Sequence, residues 1–482
     1  MANGKMVVGT AALAAANALR LAAQVLVLPI VAGLLGPQSY GIVALATPFV
    51  FLLLMFGDVG FAAALVRAPV LTAELESTIF WIASLIGAAL GIFLFGFANP
   101  LGRMLGQPEV SPILMGLAPL FGLVSLSVVP AARLQREGRF VTVARSEIVS
   151  AFAGMAAAIF GATSGWGAWS IVAQQFAIWI VKLAILLSAA GFRPQFIFRP
   201  RLVRTSVKFG SGLWAANIIG FLAGNLDNIL IGSFIGPIQL GFYALSFQIV
   251  SIPNAIFGAL HFSLFPAFAN AYRESLPSEK TFVEAFRVIL LVVTPAIIGL
   301  ELTAGLLVGL LLGDAWQPAI LIIRILAPIG LLMSVFILNS ALFLGHGRSD
   351  LELRMQIVRC SLIVAGIAAG LAFGGPGVAT GVTLAVIVSF FISMRLAMEV
   401  GSMSIAPLWE AARGPVISSL IMGAAVFVLQ AGLFARLPAV ANLMLTIASG
   451  CLFYVSALFF GFRASLLSDL FLVRSLVLRK TI

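Results

Sequence analysis

Charge is what this sequence has least of. Asp, Glu, Lys and Arg make up 9% of its 482 residues, whereas a soluble protein carries about a quarter. With 61% of residues hydrophobic and a mean hydropathy of +1.14, that scarcity excludes a soluble globular domain and points to a polytopic membrane protein. Cysteine is nearly absent too. Cys360 and Cys451 stand far apart, each inside an apolar run, and offer neither a disulfide framework nor a metal-ligand spacing. Two histidines, His261 and His346, are too few for a multi-ligand metal site. The chain also lacks a nucleophile elbow, a phosphate-cradling loop before Lys-Ser/Thr, and a carboxylate pair beside a metal-ligand cluster. A membrane polymerase or ligase should show a sizeable extracytoplasmic loop holding its site, and the outer loops here are minimal. The expectation is therefore no enzyme, no metal and no cofactor.

Acidic residues are scarcer than basic ones, 17 against 28, for a formal net charge of +11. Such an excess could suggest nucleic acid, but the basic residues sit in short loops between apolar runs, where they act as an orientation signal. No nucleic-acid partner is expected. A spanning helix needs about 20 apolar residues. Fourteen such stretches can be counted, from 8–33 to 438–461, punctuated by breaks such as Ala98-Asn99-Pro100 and Gly374-Gly375-Pro376. Ala14-Ala15-Ala16-Asn17-Ala18 imitates a signal-cleavage site, but the apolar run continues through Leu26-Val27-Leu28-Pro29-Ile30 and little basic charge beyond Lys5 precedes it. It reads as a retained first span. Alternating the spans puts 23 of the 28 basic residues on one side, leaves only Arg103 and Arg436 on the other, and buries Arg20, Lys182 and Arg324 within spans. Both termini are then cytoplasmic.

The chain also repeats itself. Residues 36–50 and 236–250 match at Gly36, Pro37, Gly41, Ala44, Leu45 and Val50, six identities in fifteen where this composition should give one or two. Six spans per repeat is an even number, so both halves enter the membrane the same way, as a parallel repeat. The predicted plan is a first lobe over 1–190 (spans 1–6), a linker over 191–206, a second lobe over 207–400 (spans 7–12), two further spans within 411–465 and a cytoplasmic tail over 466–482. The linker mixes aromatics and arginines, Phe192-Arg193-Pro194-Gln195-Phe196-Ile197-Phe198-Arg199-Pro200-Arg201, as a segment lying on anionic membrane lipid would.

Polar residues inside the spans are the functional candidates. Asn17, Arg20 and Gln24 are spaced i, i+3, i+7, which makes one wet stripe near mid-membrane. Arg20 faces either a polar cavity or a structural partner such as Asp58. Span seven carries Asn217, Asn225, Asp227 and Asn228 in the equivalent place; Asp227 is either a helix-end residue or part of a cavity. Arg324 reads equally as a site residue or a snorkelling anchor, and Lys182 is a further cation candidate. Glu301, mid-span and six residues after Pro295, is the best candidate for a proton or cation coupling group, while Asp58 suits a structural or gating role.

Several stretches resemble the opening and loops of polysaccharide flippases of the multidrug/oligosaccharidyl-lipid/polysaccharide superfamily. They are Leu35-Gly36-Pro37-Gln38-Ser39-Tyr40-Gly41, the run from Phe56-Gly57-Asp58 to Leu65-Val66, Leu134-Gln135-Arg136-Glu137-Gly138-Arg139-Phe140, Asn225-Leu226-Asp227-Asn228-Ile229, Gly313-Asp314-Ala315-Trp316-Gln317-Pro318-Ala319 and Leu344-Gly345-His346-Gly347-Arg348-Ser349-Asp350-Leu351. The resemblance implies two six-helix lobes around a central cavity with extra C-terminal helices. It also implies transport of undecaprenyl-diphosphate-linked oligosaccharide to the outer leaflet of the bacterial inner membrane for lipopolysaccharide or exopolysaccharide synthesis. A glycan polymerase and chain-length machinery are then candidate partners, and a proton, Na+ or the membrane potential the candidate driving force. The related lipid II flippases look to carry an arginine where this chain has Gln248, which shifts the second anion contact toward Arg324 or Lys182. The alternative within the superfamily is a cation-coupled multidrug antiporter, which would want acidic groups where this chain places Arg20.

Overall fold

The computed structural model describes residues 2–57, 61–67, 70–199, 221 and 224–462, with side chains throughout except at 2–26, 56, 57, 63, 64, 67, 255, 256 and 258–263. Among the described residues every regular element is a helix. They form two compact units, Met1–Gly241 and Phe242–Ile482. The first holds α1 (Ala2–Gly57), α2 (Phe61–Arg67), α3 (Ala73–Met104), α4 (Val110–Leu117), α5 (Leu120–Arg136), α6 (Phe140–Thr163), α7 (Trp169–Ala190), α8 (224–234) and the start of α9 (Pro237–Val250). The second continues with α10 (Ile252–Arg273), α11 (Glu279–Leu311), α12 (Gln317–Gly345), α13 (Ser349–Gly370), α14 (Gly374–Gly401), α15 (Ile405–Ala431) and α16 (Ala439–Gly461). An all-helical answer follows from the solvent, because lipid offers no partner for a backbone amide and a helix satisfies its own.

Ten described stretches are long and apolar enough to cross a membrane. Three of these each include a break between helices: Val27–Met55 crosses the break in α1 at Gly36, Val110–Arg136 holds α4 and α5, and Ser349–Gly401 holds α13 and α14. The break at Gly36 has φ 74°, ψ 167°, a conformation only glycine takes without strain. Pro37 then restarts the helix at a position where its missing N–H costs nothing. Gly236 (φ 111°) and Pro237, the first residue of α9, repeat the device.

Duplication extends well beyond that turn. Gly138 (φ 70°) precedes Arg139 (φ −81°, ψ 48°) at the start of α6, and Gly347 (φ 71°) precedes Arg348 (φ −91°, ψ 53°) at the start of α13. Both turns close with the same bond: Arg139 N–H donates to the Leu134 carbonyl at 2.9 Å, and Arg348 N–H to that of Phe343 at 2.8 Å. A left-handed residue ends the partner helices as well, Gly191 after α7 and Ser402 after α14. The two halves therefore share backbone geometry at a Gly-Arg turn common to both, and at Gly191 and Ser402 where the residues differ.

Helices in lipid gain nothing from a hydrophobic effect between them, so close packing and polar links hold them. Gly366 and Gly370 of α13 face Gly381 and Gly377 of α14 so closely that a β-carbon at any of the four would overlap the opposing backbone or, at Gly377, the Phe373 side chain as well. On α6, Glu147, Gly154 and Gly161 recur every seven residues and meet Lys182, Ile178 and Ser170 of the antiparallel α7. A polar link joins α16 to α11. Pro295 has no N–H for the Leu291 carbonyl four residues back, and the Tyr454 hydroxyl donates to that carbonyl instead, at 2.7 Å. Tyr454→Phe should thus lower stability in detergent by about 0.6–1.7 kcal/mol, the range for such bonds in membranes. In a Pro295→Ala background, where residue 295 can bond Leu291 itself, the same change should cost almost nothing. Equal costs in both backgrounds would show that the hydroxyl does not serve the freed carbonyl.

Candidate functional site

The backbone of α1 is helical from Ala2, which puts Asn17, Arg20 and Gln24 on one side of a continuous helix; their side chains, like Asp58 and Asn217 altogether, lie outside the described residues. Arg20 stands about midway along the first limb of α1, eighteen residues after Ala2 and sixteen before Gly36. That is roughly 25 Å from either end at 1.5 Å per residue.

In the first unit, Asp227 is buried on α8 and its Oδ1 accepts from the Asn228 backbone N–H at 2.8 Å. Asn228 is half-buried, and Asn225 donates back to the Phe221 carbonyl at 2.9 Å. Lys182 is half-buried on α7, with Nζ 2.6 Å from Glu147 Oε1 and 4.7 Å from the centre of the Trp179 ring. Its positive charge is thereby balanced inside the unit. Glu147 was not singled out in the sequence, because it falls near the start of a span like an ordinary interfacial carboxylate. In the second unit, Gln248 and Glu301 are half-buried and Arg324 is exposed. Arg324 on α12 acts electrostatically on Glu301 of α11. The pair stands in the halves of these helices nearest their shared turn, about 15 Å and 10 Å from it.

The motifs that carry the resemblance are structural. Arg136 donates to the Leu65 carbonyl at 2.8 Å, at the end of α2. Arg133 reaches Glu137 at 3.2 Å and Glu76 of α3 at 3.7 Å, and Arg139 donates to the Ala189 carbonyl at the end of α7 at 2.7 Å. Arg133, Arg136 and Arg139 thus fasten the ends of α2, α3 and α7 to the end of α5. Gly313 (φ 84°) opens a 310 turn that buries Trp316 against Phe242, with ring centres 5.9 Å apart, and Gln317 donates to Asp314 at 3.1 Å. In the remaining loop, His346 Nε2 lies 3.2 Å from the Ser278 hydroxyl, and Arg348 holds Asp350 at 3.0 Å.

The second unit also contains an apolar cleft of about 420 Å³. Leu302 and Leu307 line it from α11, Met422 and Val426 from α15, and Ile447 and Cys451 from α16. Pro295 of α11 and Tyr454 of α16 line it as well. Gln430 bridges α15 to α16 through Thr446 at 3.2 Å. The only sequence signal for this cleft is a proline followed by small residues on α11.

A family model described as "Polysaccharide biosynthesis protein" matches residues 30–321. The chain belongs to that family. Among individual relatives, the succinoglycan biosynthesis transport protein ExoT of Rhizobium meliloti (strain 1021) is 28% identical over 300 residues, covering 62% of this chain and 61% of that protein. The teichuronic acid biosynthesis protein TuaB of Bacillus subtilis (strain 168) is 27% identical, covering 61% of this chain and 62% of its own length. The chain thus spans about three fifths of the length of these two relatives. The lipopolysaccharide biosynthesis protein WzxC of Escherichia coli (strain K12) is 23% identical over 356 residues, 72% of this chain and 71% of that one. Of solved structures, the inward closed form of the lipid II flippase MurJ has a TM-score of 0.74 at 15% identity, covering 95% of this chain and all of its own. An inward-facing multidrug MATE transporter of the MOP superfamily reaches 0.63 at 17% identity, covering 78% and 94%. The fold, with its two related halves, is therefore the one these transporters share.

Proposed function

We propose that this protein is a flippase that carries a polyprenyl-diphosphate-linked oligosaccharide from the cytoplasmic to the outer leaflet of a bacterial inner membrane, by alternating access and without enzymatic chemistry. The observation that carries the reading is the family match over 30–321. The names of the relatives, which concern succinoglycan biosynthesis transport and the biosynthesis of teichuronic acid and lipopolysaccharide, support it. Within it Arg20, with Asn17 and Gln24, takes the diphosphate, and Asn217, Asn228, Gln248 and Arg324 face the glycan head. Lys182 contributes through its pair with Glu147 rather than as an open cation. Glu301, coupled to Arg324, together with Asp227 and Asp58, forms the coupling and gating set, driven by a proton, Na+ or the membrane potential. Both termini are cytoplasmic, and a glycan polymerase and chain-length machinery are the partners that would receive the product.

Depleting the protein should make lipid-linked oligosaccharide accumulate in the inner leaflet while surface polysaccharide is lost. Unchanged leaflet distribution would overturn the reading. The MATE-like fold and the mid-span Glu301 favour one other reading, a cation-coupled drug antiporter. That reading predicts cation-dependent export of organic cations and normal surface glycan on depletion.

A further inference from the structure

We infer that residues 192–199, held against α3, form a binding surface for the anionic phospholipid headgroups of the cytoplasmic leaflet. The stretch leaves the end of α7 and runs extended along the first turns of α3, fastened at four points. Gln195 N–H donates to Ser77 Oγ at 3.0 Å and Arg199 N–H to Thr78 Oγ1 at 3.1 Å. The Trp81 indole donates to the Gln195 carbonyl at 2.9 Å, and the Arg199 guanidinium meets Glu74 at 2.7 Å. Phe192 is buried against Phe80. So many bonds to a chain with no helix of its own mean that its outward side chains are held in fixed positions rather than left to collapse.

What it holds outward is a large aromatic surface. Phe196 is 95% exposed and stacked on Trp81 with ring centres 5.3 Å apart, and Phe198 is 54% exposed. An ordered, fully exposed phenylalanine in water is a standing liability. At the boundary of headgroups and acyl chains, where tryptophan and other aromatic rings concentrate, it is favourable. The placement fits that boundary, since the stretch leaves the end of one spanning helix and lies against the start of another. The charges fit a lipid surface better than a protein. Arg193 is exposed and has no ion-pair partner among the described residues, and the Arg199 side chain remains 62% exposed despite its bond to Glu74. Two guanidinium groups flanking inserted rings suit phosphate oxygens on a fluid surface. A protein partner would call for a shaped pocket beside the rings.

The test places one nitroxide at Phe196→Cys, in a chain whose native thiols are removed by Cys360→Ser and Cys451→Ser, reconstituted in nanodiscs of phosphatidylcholine with or without phosphatidylglycerol. Collision with oxygen against a water-soluble nickel chelate reports depth, and a label at Glu274→Cys, in an exposed loop, supplies the aqueous reference. The nitroxide should sit at the headgroup–acyl boundary and deepen as phosphatidylglycerol is added. Arg193→Gln should weaken that dependence about fivefold, the equivalent of about 1 kcal/mol per surface arginine, without moving the fold. A label at 196 as accessible to nickel as the one at 274 would overturn the inference and leave a cytoplasmic protein as the occupant. Insertion that ignores both phosphatidylglycerol and Arg193→Gln would overturn the anionic headgroup specificity. Neither outcome depends on whether the protein flips a glycan.

Discussion

Replacing Arg20 with alanine should abolish export of the glycan without preventing insertion. An arginine at the centre of a spanning helix costs at least about 2.5–3.5 kcal/mol on insertion scales, and at roughly 25 Å from either end of its helical limb the side chain cannot snorkel out. A group kept at that cost needs something to do, and a planar fork of donors fits diphosphate oxygens better than any other side chain. Hydrogen bonds to charged groups contribute about 1.5–3 kcal/mol each. Losing two should slow transport by a hundredfold or more. Arg20→Lys keeps the charge but not the fork, and partial activity should survive. The membrane potential adds to the case, because moving a net anion outward from a negative interior is downhill by about 2.3 kcal/mol per charge per 100 mV. The readout is lipid-linked glycan accumulating in the inner leaflet of cells that express Arg20→Ala at the normal level. Wild-type export by that variant would reduce Arg20 to one half of a structural pair.

The second large effect is structural. Gly41 and Gly241 lie where the two repeated Gly-Pro turns cross within the first unit. A β-carbon on Gly41 would overlap the Pro237 carbonyl, and one on Gly241 would overlap that of Pro37. The obstacles are backbone atoms next to prolines, which no change of rotamer can move aside. Overpacking a core typically costs 1–3 kcal/mol, and more where backbone must shift. Gly41→Val should therefore fail to yield a monodisperse protein on size-exclusion chromatography in mild detergent, or should melt many degrees lower. Gly96→Val is the control. Gly96 is exposed on α3 with nothing within 4 Å of an added β-carbon, and that variant should behave as wild type. A Gly41→Val protein with unchanged melting would mean that the turns do not cross this closely.

The same crossing divides what could be read in the sequence from what could not. Membrane class, all-helical fold and repeat were legible because each rests on local chemistry. A run of about 20 apolar residues must bond its own backbone in lipid, and Gly36-Pro37 and Gly236-Pro237 encode the same break by the same backbone rule. The Arg20 stripe was legible as well, since helical periodicity alone aligns Asn17, Arg20 and Gln24. Partners were not legible. Nothing near Lys182 announces Glu147, and nothing near Pro295 announces that Tyr454, from a helix far along the chain, satisfies the carbonyl it frees. The loop from Leu134 to Phe140 stood out by its residue types, yet that Arg136 and Arg139 in it fasten the ends of α2 and α7 emerged only from the assembled unit. Sequence sets which face of a helix is polar. The rotation and tilt that bring that face to another depend on how closely glycine lets two backbones approach, at contacts such as Gly154 with Ile178 or Gly370 with Gly377. That approach is a property of pairs distant in sequence, and only the tertiary structure decides it.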